Sequence, residues 1–207
     1  ATLLEEVNNV LLLLNEQSVE TVTESSVALK VKLTLKQAVR EVAILNNQWS
    51  WLQAIITANS WSNNKATVDN SVVDVKRVRY DNTWICWVDP EQFFDYISIE
   101  GEPRFYTRQG NDFYFHPYPT STEEQDKIKF HCIKYPTFPE ADNETFSLPE
   151  EFLPLVRYTT LAELSITHLA EAGLSNYYRQ KQVDLYQVLK SKRLSVELSS
   201  QSMIPYD

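Results

Sequence analysis

The sequence predicts an α+β protein: a helical bundle built from the N- and C-terminal segments, an inserted, mostly antiparallel β module, and an extended C-terminal tail. Three observations carry this expectation. Apolar residues recur at steps of three and four near both ends of the chain, the period of a helix with one buried face. Between residues 50 and 147 they recur at every second position instead, in a stretch that holds most of the nine prolines. The last fourteen residues then show neither period, yet stay apolar. The expected organisation is residues 1–49 and 148–193 as the two halves of the bundle, 50–147 as the β insert, and 194–207 as an extended arm.

Thr2 and Glu5 have capping-box spacing, and Leu3, Leu4, Val7, Val10, Leu11 and Leu14 follow at helical period, which predicts a first helix over 3–14. The polar run NEQSVETVTESS is a connection, with a short extended piece expected at Val19 to Thr23. A longer helix begins near Ser26. Its buried stripe is Ala28, Val31, Leu35, Ala38, Val39, Val42, Leu45 and Trp49, and it ends near Asn46-Asn47, whose side chains compete for the backbone.

The β module is expected to contain LQAIITA, SVVDVKRVRY, TWICWV, YISI, RFYTR, DFYFHP and KIKFHCIKY as strands. Gly110, one of only three glycines, supplies the positive φ of a hairpin turn in QGND. Pro117 and Pro119 stop the second hairpin strand, because proline has no N–H for the ladder. The Asn-rich loop 58–71 carries no assignable pattern. Trp84, Ile85, Cys86 and Trp87 alternate faces in one strand, so one of the two tryptophans is expected to be exposed.

At SLPEEFLPLV the chain returns to helix. A short turn is expected at 149–153 and a main helix from Pro154 to Glu171, since proline suits a first turn. Leu155, Thr159, Ala162, Ile166 and Leu169 form its stripe. Gly173 is expected to cap it and Ser175 to begin a last helix over 176–193, burying Val183, Leu185, Val188 and Leu189.

Composition narrows the function classes. A formal charge of −9 and a pI near 4.9 argue against an electrostatic grip on DNA, which requires clustered Lys and Arg. The basic runs at 76–79 and 190–193 read as a solvated face and a helix C-terminus. Aromatic residues concentrate between 49 and 138, which usually means a core and less often an interface. Cys86 and Cys132 read as two buried strand thiols, leaving a disulfide open but without the spacing of a secreted scaffold. The run Val10–Leu14 is too short to span a bilayer and is flanked by Glu5, Glu6 and Glu16; a basic signal-peptide start is missing. Ala1 suggests a trimmed initiator Met, and synthesis in a cytoplasm is expected.

No enzyme signature emerges. Gly101, Gly110 and Gly173 lie too far apart for a phosphate loop. His116, His131 and His168 have no metal spacing, and His131 and Cys132 point to opposite faces of one strand. His168 reads as a satisfied polar neighbour of a core. Glu123, Glu124, Asp126, Glu140, Asp142 and Glu144 fall in polar loops where solvation is the ordinary state, although a spatial carboxylate pair is invisible at this level. No catalytic residue, metal ligand or cofactor is therefore expected. The tail is different: Leu194, Val196, Leu198, Met203, Ile204 and Tyr206 do not suit a solvated terminus, and an extended chain of this length reaches roughly 45 Å. They pack either on their own domain or on a partner.

Four stretches together resemble the head-to-tail adaptor family of short-tailed bacteriophages, the tail tubular protein A type. They are LLEEVNNVLLLL, VREVAILNNQWSWLQ, RFYTRQGNDFYFHPYP with KIKFHCIKYPTFP, and SLPEEFLPLVRYTTLAELS. The opening helix departs from the family in lacking the Gly-rich turn that often follows it, having LLLNEQSVE there. The resemblance implies a non-enzymatic virion protein at the head–tail junction, made in the host cytoplasm, with no membrane contact. It implies a ring, usually of twelve copies, between the portal and the tail nozzle, with lateral contacts through the helical bundle. Tail fibres are a further contact, and genomic DNA slides through the channel without specific binding. It also implies that the C-terminal segment clasps the portal, with Leu194, Val196, Leu198, Met203, Ile204 and Tyr206 as anchors. The rival reading is a tail-associated binding module that meets a receptor or fibre through Trp61, Trp84 and Trp87.

Overall fold

The computed structural model describes residues 1–45, 49–62 and 64–201, with side chains described as far as residue 192. The chain forms two compact units, a helical one from Ala1–Leu45 and the chain from Pro136 onward, and a β unit over Asn46–Tyr135.

In the helical unit, α1 (Leu3–Leu13) starts from the expected capping box: the Thr2 hydroxyl accepts from the Glu5 N–H at 3.3 Å, and the Glu5 carboxylate accepts from the Thr2 N–H at 2.8 Å. It stops where Asn15 takes a left-handed φ of 59°. The connection that follows is folded into turns rather than extended at Val19 to Thr23, because the Asn8 amide bonds both backbone groups of Val19. The Ser25 hydroxyl accepts from the Ala28 N–H at the start of α2 (Ser26–Leu45). The expected stripe from Ala28 to Val42 is buried, whereas Leu45 is half exposed. Trp49 is buried outside the helix; Asn46 and Asn47 lie outside the described residues.

The β insert ends at Tyr135 and not at 147. Residues 136–147 run with the helices: the N–H groups of Leu3 and Leu4 donate to the carbonyls of Glu144 and Asp142, Lys32 and Lys36 hold Glu140, and Phe138 meets Phe146 edge-on at 5.6 Å. Here two prolines break the alternation, and the aromatic pair supplies the anchoring that a strand ladder would have supplied.

A 3₁₀ turn at Glu150–Phe152 leads into α5 (Leu153–Thr167), with Pro154 in its first turn as expected. This helix is buried on several sides, and the hydroxyls of Thr159, Thr160 and Ser165 are each satisfied by the carbonyl four residues earlier. Ile166 is exposed, contrary to the expected stripe. The reversal after α5 is made by Ala170, at φ 55°, and not by Gly173. Gly173 falls inside α6 (Ala172–Gln201), and Ser175 is buried there with its hydroxyl donating to the Ala162 carbonyl at 2.7 Å. The inward stripe of α6 is Ser175, Tyr178, Gln182, Leu185 and Leu189; Val183 and Val188 lie off it and are exposed.

The expected end of the last helix at 193 is likewise corrected, since α6 continues to Gln201. No Gly or Pro interrupts 174–204, so nothing in this run stops the ladder. Residues 194–201 therefore advance roughly 12 Å as helix where an extended chain would advance roughly 26 Å. The side chains of Leu194, Val196 and Leu198, and the whole of Met203, Ile204 and Tyr206, lie outside the described residues.

The β unit contains two sheets. One has the order β1 (Gln53–Ile56), β9 (Ile128–Lys134), β4 (Val72–Tyr80), β5 (Thr83–Trp84). The other runs β2 (Ser60–Ser62), β3 (Lys65–Thr67), β8 (Asp112–His116), β7 (Phe105–Gln109), β6 (Cys86–Trp87). Among the described strands the short β6–β7 pairing is parallel and the other pairings are antiparallel. Inward side chains of both sheets form one core in which Phe130 meets Phe113 and Phe115 at ring separations of 4.9 and 6.2 Å. Gly110, at φ 63°, makes the β7–β8 hairpin turn as expected. The unassigned Asn-rich stretch supplies β2 and β3. Conversely, YISI is not a strand: residues 94–102 form a loop after the one-turn α3 (Pro90–Phe93), tied to the five-stranded sheet by the Phe94 ring against Tyr114 at 5.3 Å and the Tyr96 ring against His116 at 5.0 Å, with an isolated bridge from Glu100 to Tyr118. A second short helix, α4 (Thr122–Asp126), is capped by Ser121 and Glu124.

Candidate interaction surfaces

The solvent face of the four-stranded sheet is built by register. Ile55 on β1 pairs with His131 on β9, and His131 pairs with Arg77 on β4. Side chains alternate across a pleated strand, so Phe130 and Cys132 turn into the core while His131 faces outward. Trp84, on the edge strand β5, closes the row: its ring meets the His131 ring at 4.9 Å, and the Arg77 guanidinium lies over it at 5.4 Å. Together with Ser50, Gln53, Lys76 and Ile133 these residues enclose a groove of about 630 Å³. Lys76, Arg77 and Trp84 also border a second hollow of about 350 Å³, lined by Trp87 and Tyr106. Lys76 pairs with Asp74 at 2.7 Å, leaving Arg77 as the more available charge of the ledge.

Both tryptophans are exposed, Trp84 to 48% and Trp87 to 57%. Alternation within one strand leads to the exposure of one; both are exposed because β5 and β6 belong to different sheets. Ile85 enters the core where the chain crosses between them, so the alternation restarts. Trp61 packs against the core beside Phe115. Cys86 is exposed, correcting the expected buried thiol, and both cysteines are free.

Titration argues against a nucleophile here. Burial pushes the Cys132 thiol up, which keeps it protonated. Burial, then Arg79 and Arg77, hold His131 below the ordinary histidine value, and its Nε2 is buried without a hydrogen-bond partner. A depressed pKa means that the unfolded chain takes up the proton first as pH falls. His131 thus contributes no penalty above the unperturbed value of about 6.5, and stability is lost progressively below it. We expect the urea midpoint to fall between pH 7.5 and pH 5 by more in the wild type than in His131→Gln. An equal fall in both would remove His131 as the cause.

His168, Glu140 and Glu144 are engaged in structural bonds. His168, just past α5, hydrogen-bonds Glu16 at 3.1 Å, the satisfied role expected of it. Glu140 and Glu144 accept bonds from Lys36 and from backbone N–H groups respectively, which holds both carboxyls below the ordinary range. Among the described residues no group of His, Cys, Asp and Glu could hold a metal ion, and no helix is long and apolar enough to cross a membrane. One charged group missed from the sequence is fully buried. Glu6 in α1 accepts two bonds from Arg157 of α5, from Nε at 2.6 Å and from a terminal nitrogen at 2.8 Å. No sequence signal joins residues so far apart; Glu6 reads as one more acidic residue of a first turn.

Apolar side chains are also exposed on the helices, Leu12, Leu33 and Ile44 among them, and on the 94–102 loop, where Ile97 is 83% exposed beside Phe94, Tyr96 and Ile99. A family model described as SU10 adaptor protein matches residues 1–200. No curated protein matches the chain.

Proposed function

We infer what this protein does from one premise: the chain belongs to the SU10 adaptor protein family of phage head-to-tail adaptors. It is a structural connector of the virion, located at the head–tail junction, and it is not an enzyme. The nearly full-length family match is the observation that carries this conclusion. Its partners are the portal and tail components that such a connector joins.

The finer reading is a ring, twelve-fold in the resemblance, seated between the portal and the tail nozzle, with genomic DNA passing through. The formal charge of −9 supports it, because a channel poor in cations does not retain phosphates. Residues 194–207 carry the portal contact, with Leu194, Val196, Leu198, Met203, Ile204 and Tyr206 as the apolar anchors. Burial of each contributes at ~25 cal/mol per Å² before ordering entropy is subtracted. Truncation after residue 193 spares Leu189, the last buried apolar residue described in α6. The shortened protein is expected to fold and to leave portal rings bare in negative-stain images; normal decoration would refute the arm's role.

The exposure of both Trp84 and Trp87 supports a second reading, contact with a receptor or a tail fibre. Glycan-array binding by the full chain that is lost in Trp84→Ala would favour it.

A further inference from the structure

We propose that the groove on the four-stranded sheet receives the 94–102 loop of a neighbouring copy of this chain, forming a lateral contact of the ring. The inference rests on the ring reading above. The receiving surface combines apolar walls, Ile55 and Trp84, with the Arg77 guanidinium held over the indole. Ile55 is 56% exposed, so the groove floor is apolar surface left in water.

The inserting segment has the complementary composition. The sequence FDYISIEGE alternates exposed apolar residues (Phe94, Tyr96, Ile97, Ile99) with Asp95, Glu100 and Glu102, and contains no cation. α3 and the Glu100–Tyr118 bridge hold its two ends, so the loop is presented on a fixed base and loses little freedom on docking. None of its residues lines the groove of its own chain. Acidic–apolar side chains on one surface and cationic–apolar side chains on another give a heterologous contact, the type that repeats around a closed ring. An identical patch meeting itself would close a dimer and stop.

A single-stranded nucleic acid would also favour a cation and a stacking indole. The second copy is preferred for two reasons. The groove has one available guanidinium, too few to track a phosphate backbone. The loop, moreover, presents Ile97 and Ile99 to water beside Phe94 and Tyr96, whose rings rest partly on Tyr114 and His116, and a nucleic acid on the groove would leave this apolar surface uncovered.

The test uses the full chain with portal rings of the same phage. In a Cys86→Ser background, Trp84→Cys and Ile97→Cys together should give a ladder of cross-linked subunits with a short bismaleimide, while either cysteine alone should not. Ile55→Cys replaces Trp84→Cys if the latter fails to fold. Arg77→Glu should reduce complete rings on portals at least tenfold, and adding Asp95→Lys with Glu102→Lys should restore them. Complete rings without a ladder, or with Arg77→Glu unaffected, would overturn the contact while leaving the ring reading intact. If the wild type does not decorate portals, the ring reading fails, and cross-linking of the concentrated free protein decides: a ladder keeps the contact and monomers overturn it. Oligonucleotide binding lost in Arg77→Glu, with no ladder, would assign the groove to nucleic acid and overturn the proposal.

Discussion

Arg157→Ala should lose about 3–5 kcal/mol of stability, the usual result of removing one partner from a buried ion pair. The Glu6 carboxylate has no exposed surface, and both of its oxygens are bonded by Arg157, with Asn9 adding a weaker bond at 3.3 Å. The pairing with Glu6 raises the already high pKa of Arg157, so the guanidinium stays charged at any accessible pH. Without it Glu6 is a carboxylate in an apolar site with one amide partner. It must either remain charged at a large desolvation cost or take up a proton. Glu6→Leu combined with Arg157→Met should recover most of the loss, because similar apolar volume replaces two desolvated charges. All five tryptophans lie in the β unit, so this change is best followed by helical circular dichroism. A double variant as unstable as Arg157→Ala would show that the pair itself, and not the orphaned charge, carries the energy.

Phe130→Ala should cost the β unit a similar amount, about 3–5 kcal/mol. Phe130 is fully buried on β9, which is paired on both sides, and its ring fills the space between Phe113 and Phe115 on the opposing sheet. Truncation removes both edge-on ring contacts and leaves a cavity that a strand fixed by two ladders cannot close. Tryptophan fluorescence in urea reads the change. Phe130→Leu should fall well short of the alanine loss, and equal losses would mean that the site collapses around the smaller side chain.

Features governed by residues within one turn of each other were legible from the sequence. The Thr2–Glu5 box, the start of α2 beside Ser25, the stripe from Ala28 to Val42 and the Gly110 hairpin all form where local chemistry places them. The family resemblance was carried by the same local stretches. Features that depend on which distant segment covers a face were not legible. Val183 and Val188 have the helical spacing of a core stripe, but α6 turns a different stripe inward. Trp84 to Trp87 has the pattern of one alternating strand, yet the chain changes sheet at Ile85. Position 170 carries no glycine to announce its reversal; there the Glu171 N–H donates to the Ser165 carbonyl at 2.7 Å and closes the helix end around a left-handed Ala170.

The sequence alone therefore determined the class of this protein: helices at both ends, a β insert between them, no catalytic constellation, and an adaptor's order of motifs. Hydrophobic period, caps and turn residues act over a few positions and are written wherever those positions are. Only the tertiary structure decided that Glu6 and Arg157 meet, 151 positions apart, and that Ile55, Arg77, Trp84 and His131 form one outward row. Such neighbours are selected by strand register and chain crossing, and the free energy that selects them belongs to the closed core rather than to any short segment.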